Sequence, residues 1–268
     1  MLPAVTSLRA RSLQHVRPVV PLHFPESEPE SERTGQSGRH YLMCKALYEI
    51  LRAAAGDEHT ASCDAFVYFD ASNPERKLAP DGAVKLGIPQ HVFDAWKTWE
   101  RGAPELAFEI LSPSDSPERW TFEEKLRRYR ALGVLELVVF HVDGELGSRL
   151  RVWDRIDGDL VERTVGGETT PCLTLDAHLV VAPVDDLPAC VRLAADPEGR
   201  DLFPTEAEAR MREAEARMRE AEARMREEEA RVREAEARRE AEARLREAEK
   251  RIAELESAAA RSRRSRDG

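Results

Sequence analysis

The sequence predicts an α/β (α+β) domain followed by a long charged helix that forms a coiled coil. Three observations carry this reading. Every Trp, Tyr and Phe lies at or before Phe203, so the apolar core belongs to the part of the chain before that point. Helical and strand-like apolar periodicities alternate through that part. From Thr205 to Glu256 the chain repeats a seven-residue unit, EAEARMR. With 268 residues there is room for one domain of ordinary size plus an appendage, since single domains run to roughly 100–200 residues.

Residues 1–35 are rich in Pro, Ser, Glu and Arg, with PESEPESE at 25–32, a composition that buries little and is expected to be loose. From His40 to Arg52, Leu42, Ala46, Leu47, Ile50 and Leu51 recur at spacings of three and four, which predicts an amphipathic helix. Ala65 to Phe69, closed by the turn-rich Asp70-Ala-Ser-Asn-Pro74, reads as a strand. So do Pro80 to Leu86, ended by Gly87, and the nearly unbroken apolar run Leu106 to Leu111. Pro117 to Leu132 has Pro near its start, Phe122, Leu126 and Tyr129 on one side, and Gly133 placed to terminate it, so it reads as a helix. Leu135 to Val142 follows as a buried strand. Arg149–Asp154, Asp159–Val165 and Cys172–Val181 then alternate as edge hairpins do. The expected organisation is a loose segment 1–35, a domain 36–187, a linker 188–203, the charged helix 204–257 and a loose basic tail 258–268.

A formal net charge of −10 excludes a protein that coats nucleic acid by bulk electrostatics, because such binding needs many Lys and Arg against phosphates. Cys44, Cys63, Cys172 and Cys190 are scattered with no CxxC pair, so the spacing suggests neither a zinc site nor a redox motif. Reduced thiols and a cytoplasmic location are the expectation. No apolar run approaches the roughly 18 residues needed to span a bilayer, so no membrane partner is expected.

Glu109 is the charged residue out of place, flanked by Phe108 and Ile110 in an apolar strand. A buried carboxylate costs several kcal/mol unless something pairs with it. It has two readings: an ion pair with Arg128 or Lys125, or a metal ligand. Asp81, directly after Pro80, is either a turn residue or a second acid facing the same point from a neighbouring strand. Lys125 lies three residues after Phe122 and four before Tyr129, so it shares their side of the helix. It either snorkels there or meets the two acids. Two carboxylates and a lysine suit phosphodiester hydrolysis, with the acids holding a hard divalent cation and the lysine handling the attacking water.

These residues sit in three ordered blocks, APDGAVKLG at 79–87, ELAFEILSPSDS at 105–116 and EEKLRRYRALGVLELVVF at 123–140. Together the blocks, and the chain over about 38–185, resemble the Uma family of putative restriction endonucleases, within the PD-(D/E)XK nucleases. The resemblance implies a restriction-endonuclease-like mixed sheet flanked by helices, DNA as substrate, and magnesium, or manganese in its place, as cofactor. It implies Asp81 and Glu109 as metal-binding acids and Lys125 as the lysine, supplied by the helix because Leu111 holds the usual position two after the acid. His40 is either near that site or an ordinary helix-face histidine. Gly82-Ala83 stands where the family carries larger β-formers, so a weaker local strand is expected.

In the repeat, Met211, Met218, Met225 and Val232 form one column and Ala207, Ala214, Ala221 and Ala235 another. Thr205 and Glu208 make a capping box. Glu–Arg pairs four apart each add about 0.2–0.5 kcal/mol to an isolated helix. Val232 to Leu245 is 13 positions rather than 14, so one residue of the repeat is missing near Arg238-Arg239. Beyond it Leu245, Ala248, Ile252 and Leu255 make a stronger seam. A homodimer or higher homo-oligomer through residues 204–257 is one expectation and a monomeric salt-bridged helix the other. Two function classes follow: a magnesium-dependent endonuclease, or a non-catalytic nuclease fold whose coiled coil is the working part.

Overall fold

The computed structural model describes residues 23–24, 37–111 and 121–264, with side chains omitted at 255, 256 and 258–264. The expected loose segment 1–35 lies almost wholly outside these residues, as do Pro117 and the Ser-Pro-Ser-Asp-Ser of the second block. The chain divides into two compact units, residues 1–205 and 206–268.

The first unit opens with helix α1 (Gly38–Ala55), whose first turn is capped by Ser37 Oγ accepting the His40 N–H at 3.2 Å. Its buried stripe is His40, Met43, Cys44, Leu47, Ile50 and Leu51. Leu42, expected on that stripe, is half exposed because it sits out of phase with the His40–Cys44–Leu47–Leu51 line.

The strands are β1 (Thr60–Ser62), β2 (Val67–Tyr68), β3 (Lys77–Leu78), β4 (Gly82–Lys85) and β5 (Trp96–Lys97), then the short helix α2 (Thr98–Arg101) and β6 (Leu106–Leu111). Helix α3 (Phe122–Leu132) begins at Thr121, whose hydroxyl accepts the Glu124 N–H, and ends at Gly133 in the left-handed conformation, φ 100°. After it come β7 (Glu136–His141), β8 (Leu150–Ile156), β9 (Asp159–Arg163), β10 (Thr169–Cys172), β11 (Ala177–Val184) and β12 (Leu187–Ala194).

A six-stranded sheet in the order β1-β4-β6-β7-β8-β9 forms the middle layer. It is mixed: β6 and β7 run parallel and the other neighbours antiparallel. On one face α1 and the antiparallel sheet β10-β11-β12 close a core through Leu47, Ile50, Phe108, Val138, Leu179 and Val191. On the other, α3 and the small sheet β3-β2-β5 pack Tyr129, Leu132, Val67 and Trp96 against Ala107, Leu137, Val139 and Trp153. The unit is thus an α/β domain with helices on both faces of a mixed sheet, as the sequence predicts.

The 188–203 stretch departs from the expected linker. Its first seven residues belong to β12, which is buried at every position but one. Pro188 and Arg192 disguise it in the sequence, but Arg192 is itself buried and donates to the Pro183 and Phe203 carbonyls at 3.2 and 3.0 Å. The expected strand Cys172–Val181 is two strands with a turn between them. Strands β1, β3 and β5 are too short to leave a periodic signal.

The second unit is one helix, α4 (Glu206–Arg264), of 59 residues. It continues through 258–264, where a loose tail is expected, and residues 265–268 lie outside the described ones. Exposed Glu–Arg pairs four apart run along it, including Glu213–Arg217 and Glu220–Arg224 at 2.5 Å. Met211, Met218, Met225, Val232, Leu245 and Ile252 are exposed. Among the described residues no helix is long and apolar enough to cross a membrane.

Candidate active site

The site lies where β4 and β6 run antiparallel. Their register pairs Gly82 with Phe108 and Ala83 with Ala107, so Asp81 stands just before the paired part of β4 and Glu109 just after Phe108 in β6. Both acids are nearly out of solvent, at 7% and 6% exposed.

Strand alternation decides what meets Glu109. Phe108 and Ile110 point into the core under α1, while Ala107 and Leu111 pack on the α3 side. Glu109 shares that second side and receives α3. Lys125 Nζ donates to its Oε2 at 2.7 Å, and the Tyr129 hydroxyl donates to its Oε1. Lys125 and Tyr129 are four residues apart, one helical turn, so they arrive together. Arg128, the other expected ion-pair candidate, pairs with Glu124 instead.

Asp81 is met from the opposite face. Its Oδ2 accepts the Ile110 N–H at 2.6 Å, which ties it to β6. Its Oδ1 lies 3.1 Å from His40 Nε2 and accepts the Cys44 thiol at 3.7 Å. Gly82 eases this approach. A Cβ there would stand 2.8 Å from Leu47 Cδ2 and 2.9 Å from Leu51 Cδ1, so a side chain would have to push aside the ends of these two leucines of α1. The glycine expected to weaken a strand is therefore the point of close helix contact, and β4 forms through it.

Burial, and then the carboxylate of Asp81, push Glu109 up to about 7, against the opposing pull of Lys125 and Tyr129. The Cys44 thiol is driven far upward by its hydrogen bond to Cys63, by burial and by Asp81, so it stands as a protonated donor. Two carboxylates that act on each other with this penalty form a donor set that suits a hard divalent cation, which relieves their mutual repulsion.

Lys125 and Tyr129 thus meet Glu109, while Asp81, bound to the N–H of Ile110 next to it, meets His40 and Cys44. Sequence reasoning missed Tyr129, read only as a core face, and Cys44, read as a scattered thiol. The four-residue spacing of His40 and Cys44 on a helix was the signal available for the second. It also missed Glu136, a second buried acid in a strand, which accepts Arg163 Nη2 at 3.0 Å and the N–H groups of Leu173 and Thr174 at 3.2 and 2.9 Å.

The model of the Uma2 family, described as putative restriction endonuclease, matches residues 29–182, more than half of the chain. The chain belongs to the Uma2 family. The Uma2 match takes in Asp81, Glu109 and Lys125 and stops within β11, leaving β12 and α4 outside it. Among solved structures, a putative nuclease belonging to DUF820 from Anabaena variabilis matches with 13% identity and a TM-score of 0.34, over 57% of this chain and 75% of that one. At that TM-score the likeness decides nothing about this Uma2 member. No curated protein matches it.

Proposed function

We propose that this Uma2 protein is a metal-dependent DNA endonuclease whose reacting groups are Asp81, Glu109 and Lys125. The observation that carries the reading is a nearly buried pair of acids whose charges act on each other, Asp81 at the start of β4 and Glu109 in β6, with Lys125 of α3 bound to Glu109, in a family described as putative restriction endonuclease. Asp81 and Glu109 would hold the cation, magnesium or manganese. When bound, it supplies a Lewis acid for the scissile phosphate and lowers the pKa of a coordinated water.

The chain's own groups do the rest. Tyr129 fixes one oxygen of Glu109 and the Ile110 N–H fixes one oxygen of Asp81, so both acids are oriented before any ligand arrives. Lys125, with 16% of its side chain exposed, has its ammonium at the edge of solvent. Donating to a carboxylate, it is arranged to hold an attacking water and a charged phosphoryl oxygen rather than to strip a proton. Glu109 must be ionised to take a cation, so metal affinity and cutting should rise with pH and level off above about 7.

Helix α4 serves to join copies. An exposed apolar column along an otherwise charged helix is what a second such helix covers. At 100° per residue, the missing residue turns the Leu245–Ile252 seam by about 100° from the Val232 column, so one straight partner cannot follow both. The seam with Leu245 and Ile252 is the stronger and carries the self-association. Sedimentation of the full chain should give a dimer or larger species, and Ile252→Glu a monomer.

The deciding experiment is cleavage of supercoiled and linear DNA by the purified protein with magnesium or manganese, beside Glu109→Ala. Metal-dependent cutting that falls by a factor on the order of 10³ in the variant supports the assignment. Absence of cutting by a folded, metal-loaded wild type overturns it in favour of a non-catalytic nuclease fold.

A further inference from the structure

We propose that His40, Cys44 and Asp81, with Cys63 as the fourth donor, form a second metal site that takes a soft divalent cation of the zinc class. Because this site shares Asp81 with the carboxylate pair, a cation in it withdraws that acid from Glu109 and silences cutting. The silencing rests on the endonuclease reading above, whereas the binding does not.

The geometry is that of a small tetrahedral site. His40 and Cys44 are one turn apart on α1 and both are buried against the sheet. Asp81 Oδ1 is 3.1 Å from the imidazole Nε2 and 3.7 Å from the Cys44 sulfur, and the three donor atoms lie within 4.8 Å of one another. Zinc bonds of about 2.0 Å to N and O and about 2.3 Å to S put tetrahedral donors about 3.3–3.8 Å apart. The observed separations need little adjustment to meet that shape. Cys44 also belongs to a second such triplet with Cys63 and Asp64, and Cys63 Sγ reaches the Cys44 carbonyl at 3.5 Å. A second thiol therefore stands within 4.8 Å of the first.

The donor types separate the two sites. Magnesium demands oxygen ligands and keeps its waters, so imidazole and thiolate hold it poorly; zinc prefers them. Asp81 stands at the boundary, with His40 and Cys44 on its Oδ1 and the N–H of Ile110, the residue after Glu109, on its Oδ2. On binding, the cysteines deliver their protons to solvent and become thiolates. No electron changes hands.

The test uses the full-length reduced protein, stripped of metal, titrated with cobalt(II) in the absence of DNA. The expected result is the intense visible spectrum of tetrahedral cobalt with a thiolate charge-transfer band in the near ultraviolet. One equivalent of zinc should erase it and excess magnesium should leave it. Cys44→Ser should lower cobalt affinity at least about 100-fold. Cys63→Ser, a one-atom change at a partly buried position whose folding is checked by circular dichroism, should weaken the charge-transfer band. A pale octahedral spectrum without that band, or a band indifferent to both substitutions, overturns the site. Zinc should also inhibit magnesium-dependent cutting by the wild type more than by Cys63→Ser, and equal inhibition overturns the silencing. A chain that shows the cobalt band but never cuts DNA keeps this site and removes the nuclease reading. One that cuts without the band does the reverse.

Discussion

Two buried glutamates on adjacent strands, Glu109 in β6 and Glu136 in β7, show how one residue type serves two ends. They lie on opposite faces of the same parallel pair, three register steps apart, since Glu136 stands beside Leu106 and Glu109 beside Val139. Glu136 is surrounded by fixed donors. Arg163 and two backbone N–H groups hold it, and Arg163 in turn grips Asp154 and the Pro171 carbonyl, so the cluster clamps the β10 turn onto the central sheet. Glu109 has two donors and faces a second carboxylate. An acid whose needs are met by the fold is structural. One left short, next to another anion, is prepared for a cation.

Breaking the structural acid should have the largest effect. Glu136→Ala leaves Arg163 without its buried partner and should lower the unfolding free energy by about 3–5 kcal/mol in a urea titration. Magnesium affinity of the folded fraction should stay unchanged. A loss below about 1 kcal/mol would mean that the cluster is not a clamp.

Glu109 should behave in the opposite sense. Its folded pKa lies above the ordinary value of 4.5, so the folded chain holds the proton more tightly than the unfolded one. That contribution to stability is complete below about pH 4.5 and is lost as pH rises through about 7. Relative to Glu109→Gln, the wild type should therefore lose up to about 3 kcal/mol across this window. Magnesium should restore the wild type at the upper end and leave the variant unmoved. Parallel pH profiles of the two proteins would contradict the burial argument.

Gly82→Val should cost about 1–3 kcal/mol by overpacking against Leu47 and Leu51. It should also move the His40 ring resonances, because Leu47 and Leu51 must shift on the helix that carries His40. Normal histidine shifts in that variant would separate the glycine from the site. The smallest effect belongs to the exposed pairs of α4. Glu220→Gln, which breaks a pair with Arg224 at 2.5 Å, should change helix stability by about 0.2–0.5 kcal/mol and vanish at high salt, as judged by circular dichroism.

The sequence alone determined the elements whose chemistry is local. The apolar spacing of α1, the run of β6, Gly133 after α3 and the heptads of α4 are each legible because period and cap are written in neighbouring residues. Glu109 was legible for the same reason, as a charge in an apolar strand. Tertiary structure decided the rest. Glu136 went unnoticed because it stands at the mouth of the run Leu135 to Val142, where a charge is ordinarily solvated, and only the tertiary fold brings Arg163, 27 residues on, to pair with it. The strand β12 was hidden by Arg192, whose acceptors come from β11 and the segment after β12. The meeting of His40, Cys44 and Asp81 depends on a helix lying on a strand more than 25 residues away, where the ends of Leu47 and Leu51 occupy the place a Cβ would take at Gly82. Periodicity records which face of an element is buried; which polar groups share the burial is fixed only when the layers close.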